Sequence, residues 1–542
     1  MRKKLFILLF LTPVLGMAQH LQSPSLKFRV KRLPVNTSSI LPQTTATGGL
    51  TSSDTVITTP PSGEKRTYYM TRNFYDDNYS TSVYQCLAPV TMVFCTNNDV
   101  YIPNMVRDDF TDEAYGRVYV KGKLSIDGKK ITIKNGQKLF DKNGSVLRLC
   151  LTDSAGLAGD TLTNQLYSSA IILEVSENGV LTPADDSGLI GLYPDGDVKS
   201  LYGYTSVWDY RPKDSVDAKT KKMNYEYIYS SNNNEKKTAI ATKYVDDAGL
   251  VYVKGFVNKY PDAWAFLMPY KSDSLYLTSY QVIDRSYAIG STLLFAATKA
   301  KTTSGNDTIN AVHGMFLTED ANTGMIKSLD GSVITTSYID ADYVPHFPQQ
   351  YESLVFSPIT LNAVKPSTPT SLQYRKGSYT MIRFTLPETD VNGNALDLSS
   401  SYYRICINGM PYTFAKATYT KLKSDTDMVL IPWNYDDYDV ISKSGTTRYI
   451  YFEGINTDTL KTIGVETVYI VNGEETTSDR LVYDVATQKT SIINGIATIS
   501  DHVSGIASPI AIYGINGMRR KNISKGINII HMSDGTTRKV IQ

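Results

Sequence analysis

The sequence has little of several features that would point directly to a function. Its 542 residues include 4 cysteines, 3 tryptophans and 5 histidines, and the formal net charge is +2. Outside the extreme N-terminus, no five consecutive residues are Lys or Arg. Nucleic acids and anionic membranes both select clustered cations, so neither is an expected partner. Beyond the N-terminal region there is no run of 18 apolar residues, and we expect no transmembrane segment in the mature protein.

The motifs of the common catalytic sites are also missing. The histidines include no H-E-x-x-H pair, and G-x-S-x-G, G-x-x-x-x-G-K and G-x-G-x-x-G do not occur. We therefore expect no cofactor and favour a non-catalytic protein. A nucleophile and a histidine base can still meet across a fold, so a hydrolase acting on glycans or peptides, with an unrecognised site in residues 65–362, is kept as an alternative.

The cysteines are Cys86, Cys95, Cys150 and Cys406. None has the paired spacing of a zinc site. The favoured interpretation is that all four are small buried hydrophobic residues. The alternative is that Cys86 and Cys95, which lie nine residues apart, form a disulfide across a hairpin.

The first 18 residues have the organisation of a secretory signal peptide. Residues 2–4 are basic, an apolar run covers 5–15, and small residues stand at 16 and 18. We predict cleavage between Ala18 and Gln19, and therefore an exported protein. Residues 19–64 are rich in Ser, Thr and Pro without a strand or helix period, which predicts a flexible leader.

The rest of the chain has the pattern of short strands. Tyrosine, which favours strands, occurs 39 times against 16 for Phe. Alternating runs end at turn dipeptides, for example 118–120 before Lys121-Gly122, 130–134 before Asn135-Gly136 and 170–175 before Asn178-Gly179. Long amphipathic helices are not predicted. We predict an all-β, multi-domain protein with β-rich modules at 65–200 and 201–362, a sandwich at 363–486 and a small β domain at 487–542.

The two β-rich modules share a faint internal repeat. VYVKG at 251–255, PDAW at 261–264 and the strand ending in Gln281 follow one another in the second module. The first module has VYIP at 100–103 and a strand ending in Gln137, but no Trp between them. The second copy resembles a β-rich repeat of unknown function found in exported proteins of gut and oral bacteria. That resemblance implies an architecture and no activity.

Residues 363–486 have the strand spacing of an immunoglobulin-like sandwich. Ile382, Phe384 and Leu386 alternate on one predicted face, and further strands are predicted at 402–407, 464–470 and 480–485. Asn408-Gly409 and Asn472-Gly473 predict tight turns. The unit resembles a fibronectin type III domain, whose usual role is spacing and protein contact.

The last residues carry the most specific resemblance. AIY at 511–513, NGMRR at 516–520, SKGINII at 524–530 and RKVI at 538–541 are similar to the C-terminal sorting domain of type IX secretion. The positions that match its motif are Gly517, Arg519, Gly526 and Lys539. Gly514 and Asn528 stand where the family has Asp and an aromatic residue. The resemblance implies the type IX secretion machinery as a partner and an extracellular or outer-membrane-surface location.

Two polar clusters are candidate ligand sites. Trp433 is followed by Tyr435, Asp436, Asp437 and Tyr438, and an aromatic side chain beside carboxylates is the composition of a sugar site. The alternative is a sandwich loop with Trp433 in the core.

The second cluster offers oxygen ligands for a cation at Asp390, Asn392, Asn394 and Asp397. Gly393 is misplaced for an EF-hand, and Ser401 stands where the bidentate Glu would be. The alternative is a solvated turn.

These observations together predict a secreted or cell-surface-displayed binding or adhesion protein, with a glycan or a host or matrix protein as ligand. The alternatives are the hydrolase and a scaffold without a ligand. Converging carboxylates in a cleft would favour the hydrolase, whereas an exposed aromatic strip would favour binding.

Overall fold

The structure is a computed structural model. It describes residues 55–541 except 77–80, 104, 107–117, 143–144, 154–156, 159–160, 163–169, 185–187, 195–203, 230–234, 287–289, 302–306, 330, 340–344, 378–379, 425, 494–508, 515–518, 521–522, 524–526 and 533–536. The predicted signal peptide with its cleavage site at Ala18 and Gln19 lies outside the described residues. The chain divides into two compact units, Met1–Thr360 and Leu361–Gln542. Strands dominate both units, which confirms the all-β prediction.

The described residues of the first half of unit 1 form thirteen strands. They are β1 Glu64–Asp76, β2 Thr81–Phe94, β3 Asp99–Pro103, β4 Tyr119–Leu124, β5 Lys130–Lys134, β6 Lys138–Lys142, β7 Ser145–Asp153, β8 Leu157–Ala158, β9 Thr161–Leu162, β10 Ala170–Val175, β11 Leu181–Pro183, β12 Gly188–Pro194 and β13 Tyr204–Pro212.

Eight of these strands form a closed antiparallel circuit, in the order β1–β2–β3–β4–β5–β10–β11–β13 and back to β1. We call this half repeat 1. Its alternating side chains fill the inside of the circuit, where Ile131 lies opposite Leu173 and Ile133 opposite Ile171. Strands β6, β7 and β12 extend the sheet from β13.

Repeat 2 follows after one short helix, α1 Lys213–Lys219. Its strands are β14 Lys221–Tyr229, β15 Glu235–Val245, β16 Val251–Lys254, β17 Trp264–Lys271, β18 Ser274–Thr278, β19 Gln281–Ser286, β20 Gly290–Lys301, β21 Asp307–Val312, β22 Gly314–Glu319, β23 Ile326–Ser328, β24 Ser332–Ile339 and β25 Pro345–Pro358.

Repeat 2 has the same topology as repeat 1. Its closed circuit runs β14–β15–β16–β17–β18–β22–β23–β25 and back to β14, with β19, β20 and β24 extending from β25. The registers agree as well: Leu181 faces Tyr210 in repeat 1, and Ile326 faces Phe356 in repeat 2. The segments that share the faint sequence repeat, 100–103 and 251–254, are the equivalent strands β3 and β16.

Strand β13 closes repeat 1, which therefore extends to Pro212, past the predicted boundary between 200 and 201. One predicted turn was also wrong. Lys121-Gly122 lies inside β4, where a Cβ on Gly122 would stand 2.7 Å from a methyl carbon of Ile131. The glycine is needed there because a larger side chain would meet the core. The turns at Asn135-Gly136 and Asn178-Gly179 follow strands β5 and β10, and both glycines have positive φ.

One glutamine in each repeat makes equivalent hydrogen bonds. The Gln281 side-chain oxygen accepts a hydrogen bond from the N–H of Phe266 at 2.7 Å. Its amide nitrogen donates to the carbonyl oxygens of Phe266 at 3.0 Å and Thr278 at 2.9 Å. Gln137 does the same with the backbone of Lys121 and the carbonyl oxygen of Lys134. Each amide thereby bonds the fourth strand of its circuit to the end of the fifth.

Repeat 1 packs on the outer face of repeat 2. Tyr69 and Leu87 of repeat 1 contact Tyr252, Trp264 and Phe266 of repeat 2 in one buried apolar cluster. The sheets also join directly, since β2 pairs in parallel with β19. Repeat 2 thus has part of one outer face covered and part of it open.

The described residues of the first part of unit 2 form eleven strands and a 3₁₀ turn at Leu398–Ser400. The strands are β26 Thr370–Arg375, β27 Thr380–Thr385, β28 Ser401–Ile407, β29 Met410–Pro411, β30 Ile431–Pro432, β31 Ile441–Ser444, β32 Thr447–Phe452, β33 Thr462–Val471, β34 Glu474–Thr477, β35 Arg480–Asp484 and β36 Lys489–Ile493.

These strands form two antiparallel sheets. One has the order β26–β27–β32–β31, and the other β29–β28–β33–β35–β36, with β30 beside β28 and β34 beside β33. The first and second orders correspond to A–B–E–D and C–F–G of an immunoglobulin-like sandwich. Ile382, Phe384 and Leu386 are buried, and the ring of Phe384 lies 5.5 Å from that of Tyr403 in the second sheet.

The last part of unit 2 is a separate small antiparallel sheet. Its strands are β37 Pro509–Gly514, β38 Arg519–Arg520, β39 Ile527–Met532 and β40 Thr537–Ile541. Their order is β38–β37–β39–β40.

Candidate ligand-binding surface

Trp433, the centre of the predicted sugar site, lies in the core of unit 2. Its side chain is 3% exposed, and its indole N–H donates to the carbonyl oxygen of Pro387 at 3.3 Å. The guanidinium of the buried Arg448 lies 4.5 Å from the Trp433 ring centroid and donates to the Trp433 carbonyl oxygen. A sugar cannot reach this ring, so the geometry favours the alternative that Trp433 is a core residue.

The residues that follow Trp433 do not converge on an open site. Asp437 accepts hydrogen bonds from three backbone N–H groups at 439–441, and the Tyr435 hydroxyl accepts one from Lys423. Burial raises the pKa of Asp436 above its usual value. Tyr438 is different, because its side chain is 55% exposed. The loop therefore exposes one aromatic side chain, Tyr438, whereas Asp436 and Asp437 accept hydrogen bonds from backbone N–H groups of the same loop.

The predicted cation ligands also bond to their own loop. Asp390 accepts the backbone N–H groups of Asn392 and Asn394, both at 2.8 Å, and the side-chain amide of Asn394 at 3.0 Å. Asp397 caps the following 3₁₀ turn. These bonds fit the turn alternative, in which residues 391–394 are exposed but both aspartates are buried. Among the described residues, no three His, Cys, Asp or Glu side chains are grouped so that they could hold a metal ion.

Two of the four predicted sorting residues fall on the C-terminal sheet. Arg519 lies in β38 and Lys539 in β40, whereas Gly517 and Gly526 lie outside the described residues. Asn528, which replaces an aromatic residue of the sorting motif, is buried in β39. In the described part of the chain, no helix is long and apolar enough to cross a bilayer.

The cysteines are all free. Cys86 lies within β2 and Cys95 directly follows it, so the extended strand separates them by about 30 Å and they cannot face each other across a hairpin. Cys86, Cys150 and Cys406 are buried, and burial raises the pKa of Cys150 to about 12 and that of Cys406 to about 11. Buried thiols of this kind are inert. Cys95 is only half-buried, which departs from the prediction that all four cysteines are buried.

Among the described residues of unit 1, two carboxylates converge at the junction between the two repeats. Arg211 lies 2.8 Å from Asp209 and 3.1 Å from Asp246. Burial raises the pKa of both carboxyl groups although Arg211 opposes it. Both are covered by the packing of the repeats, so this triad holds the junction together and does not line a cleft.

A group of aromatic side chains, one exposed and two half-buried, lies on the part of the outer face of repeat 2 that repeat 1 leaves uncovered. Tyr276 of β18 faces Phe316 of β22 across the strand pair, with ring centroids 5.0 Å apart. The ring of Tyr270 in β17 lies 4.9 Å from that of Phe316, and Tyr270 is 51% exposed. The Lys271 amine lies 5.5 Å from the Tyr270 ring centroid. Met268 faces Tyr276 across the strand pair and borders the covered part of the face. We call Met268, Tyr270, Tyr276 and Phe316 the aromatic surface.

Repeat 1 shows that the fold does not require this surface. The registers make Lys123 equivalent to Met268, Thr132 to Tyr276 and Ile172 to Phe316. The same outward positions therefore carry a lysine, a threonine and an isoleucine in one copy, and a methionine and two aromatic residues in the other. A group of aromatic side chains at partly exposed positions that the fold does not require is typical of binding surfaces.

No model of a known protein family and no curated protein matches this chain. The candidate surface therefore rests on geometry alone. Sequence reasoning missed it because Tyr276 and Phe316 are brought together by a strand pairing that spans forty residues of chain. The available signal was the alternation of Tyr276 with the buried Leu275 and Leu277, which predicts an outward ring.

Proposed function

We propose that this chain is an exported, non-catalytic binding protein displayed at the surface of a type IX-secreting bacterium, and that the aromatic surface is its ligand-contact region. The N-terminal and C-terminal sequence patterns support export and sorting. The single observation that carries the binding role is the group formed by the exposed Tyr270 and the half-buried Tyr276 and Phe316 on the outer face of repeat 2.

Burial and chemistry support binding over catalysis. Aromatic side chains supply large contact areas at a low cost in conformational entropy, and the Tyr hydroxyls add hydrogen bonds at the rim. The converging carboxylates at Arg211 are covered, and those beside Trp433 bond to their own backbone. The sandwich in unit 2 then acts as a spacer, which is the usual role of the fibronectin type III domains it resembles.

A combined array of glycans and matrix proteins tests this function. The purified chain from residue 19 should bind at least one class of ligand, and replacing Tyr270, Tyr276 and Phe316 together by Ala should remove that binding. The matched control is Ile172→Ala, which truncates the equivalent position of Phe316 in repeat 1 and should leave binding unchanged. An array without any signal would contradict the proposal.

A further inference from the structure

We infer that the junction between the two repeats is a pH-responsive contact, which closes more tightly in acid than at neutral pH. The groups that give it this property are the carboxylates of Asp209 and Asp246 and the guanidinium of Arg211. This property of unit 1 is separate from the proposed binding role and does not require a ligand.

One arginine bridges the two repeats and is shared by two acids. The Arg211 guanidinium, on β13 of repeat 1, lies 2.8 Å from an oxygen of Asp209 on the same strand and 3.1 Å from an oxygen of Asp246 in repeat 2. The other oxygen of Asp246 accepts the backbone N–H groups of Ala248 and Leu250, both at 2.9 Å. The second oxygen of Asp209 is buried and has no hydrogen-bond partner among the described residues. When both acids are ionised, the triad therefore carries one negative charge that its arginine does not balance.

The packing of the repeats buries this unbalanced charge. Asp209 is 8% exposed and Asp246 is 6% exposed. The phenol of Tyr252, itself fully buried, is within electrostatic reach of both carboxylates and belongs to the apolar cluster of the junction. An unbalanced charge is unfavourable in such surroundings, so a proton that removes it is held more tightly. Burial accordingly raises the pKa of Asp209 and of Asp246.

The other titratable groups around the triad either stay neutral or have partners of their own. Burial raises the pKa of three phenols and one thiol at the junction, so all four remain neutral from about pH 4 to about pH 8. These groups are Tyr69, Tyr244, Tyr252 and Cys86. On helix α1, Lys213 contacts Asp217, and Lys219 lies 3.5 Å from Asp247. Two further acids, Asp214 and Asp262, add negative charge near Tyr69. The carboxyl groups of the triad are therefore the ones whose protonation the closed junction favours.

The fold does not require charged residues at these positions. The registers place Val355 and Ser357 of β25 where β13 has the acid and the arginine of the triad. Cys95 stands at the position of Asp246, because the N–H of each donates to the carbonyl oxygen four residues further on, at 2.8 and 3.0 Å. The charged set is therefore specific to the place where one repeat packs on the other.

The direction of the pKa shifts gives the direction of the response. An exposed aspartate has a pKa of about 4, and the closed junction holds the proton more tightly than that. Between about pH 4 and the raised value, the closed state therefore binds more protons than the open state. Closure becomes more favourable as the pH falls through this range and less favourable as it rises. Opening would uncover Trp264 and Phe266, so the pH would control access to an apolar face of repeat 2.

Hydrogen exchange of the chain from residue 19 measures opening of the junction. The peptides to follow are those from β13 and from residues 244–252, with rates corrected for the intrinsic effect of pH on exchange. In the wild type, both should exchange at least about threefold more slowly at about pH 4.5 than at about pH 7.5, because one unit of raised pKa changes the opening equilibrium about tenfold. Asp209→Asn removes the unbalanced charge and keeps the shape of the side chain. It should slow exchange at the neutral pH by about the same factor and remove most of the difference between the two pH values.

Arg211→Met tests the cation that the two acids share. Both carboxylates then lose their balancing charge, so exchange at the neutral pH should rise about tenfold or more and the difference between the two pH values should widen. Asp247→Asn, which removes a neighbouring exposed charge, is the matched control and should behave like the wild type. Circular dichroism of each variant checks that the fold is retained.

Three outcomes would overturn the pH-responsive junction. The first is equal exchange of the wild type at both pH values. The second is an Asp209→Asn variant that keeps the full difference, since another group would then be responsible for it. The third is an Asp209→Asn variant that exchanges faster than the wild type at both pH values, since the ionised acid would then hold the junction together.

Discussion

Gln281 shows how one buried side chain fixes the path of several backbone segments. Its amide satisfies an N–H and two carbonyl groups that would otherwise be buried without partners. The residue before it, Tyr280, has φ +69, the same left-handed conformation as Gly136 before Gln137. A tyrosine accepts that strain because the glutamine bonds and the packing on Phe295 hold it. Sequence reasoning noticed both glutamines as strand ends but could not assign these bonds.

Replacing Gln281 should therefore be costly. We expect Gln281→Ala to destabilise unit 1 by about 3 kcal/mol, because it leaves buried backbone groups unpaired and opens a cavity. Gln281→Glu keeps the acceptor for Phe266 but loses both donated bonds, so it should also destabilise. Pulse proteolysis in urea measures the change. Gln137→Ala is the matched variant in repeat 1, and a negligible effect of both Ala substitutions would contradict this role.

The hydrogen bonds of Asp390 make us expect that the stability of unit 2 depends on pH. Burial alone would raise its pKa, but hydrogen bonds from Asn394 and Asn392 outweigh burial and hold the pKa below its usual value. The ionised carboxylate is then favoured by folding. Its contribution is present above the unfolded pKa of about 4 and is lost as the pH falls through the lower folded value.

We expect Asp390→Ala to lower the free energy of unfolding of unit 2 by about 1–2 kcal/mol at pH 7 and by less near pH 3. Hydrogen exchange of peptides from β27 and β28 measures this in the full chain. Asp458→Ala, an exposed carboxylate in the same unit, is the control and should change stability by less than about 0.5 kcal/mol. Stabilisation on addition of calcium would show that the loop is a cation site after all.

At the scale of elements, the alternation of side chains predicted most strands of the sandwich, and Ile382, Phe384 and Leu386 are core residues as expected. The closed circuits were not predictable, because strands such as β5 and β10 pair across long connections and alternation says nothing about partners. Helix α1 was missed since its seven residues bury only Val216 and so lack an apolar face. The aromatic surface depends on the same long-range pairing.

In both repeats, the equivalent outer face is covered by a part of the chain that precedes the repeat. In repeat 2, Trp264 and Tyr252 are covered by repeat 1. In repeat 1, the equivalent Tyr119 and Tyr101 pack against Ile57, and the Tyr119 N–H donates to the Ile57 carbonyl oxygen at 2.8 Å. The described end of the predicted leader thus covers repeat 1 as repeat 1 covers repeat 2. Terminal repeats commonly need such a cap to protect an apolar face.

Trp264 should accordingly hold the two repeats together. Its side chain is 3% exposed and lies edge-on to Tyr69 at 6.1 Å. We expect Trp264→Ala to cost about 3–5 kcal/mol and to loosen the junction more than the interior of either repeat. Limited proteolysis should then cut first in or beside helix α1. Tyr119→Ala, the equivalent change in repeat 1, is the control and should leave the α1 cleavage rate unchanged.

At the scale of the whole molecule, unit 2 contains a sandwich with its own core and a separate C-terminal sheet. Every strand from β26 to β36 pairs within the sandwich, which extends to Ile493 through β36. We expect residues 361–493 to fold alone, with dispersed amide resonances in an NMR spectrum. A spectrum typical of a disordered chain would contradict this. The predicted end of the sandwich at residue 486 would cut off β36 and expose β35 as an edge.

The pairing of β36 also decides how the sorting role of the tail should be tested. A truncation that begins at Ser491 would remove part of β36 and unfold an edge of the sandwich, so any export defect would be ambiguous. Removal of residues 494–542 leaves every strand of the sandwich in place. We expect this truncated chain to fold, to lose its signal peptide and to accumulate in the periplasm, because the sorting resemblance lies wholly within the removed residues.

Surface labelling of intact cells and fractionation measure this outcome. A second variant keeps the C-terminal sheet and replaces Lys539, an exposed residue of β40, by Ala, which should reduce surface display without changing the amount of folded protein. Normal surface labelling of the chain that ends at Ile493 would contradict a sorting role for the tail. Loss of the protein from all fractions would instead contradict the independent folding of the sandwich, since proteases in the periplasm remove unfolded chains.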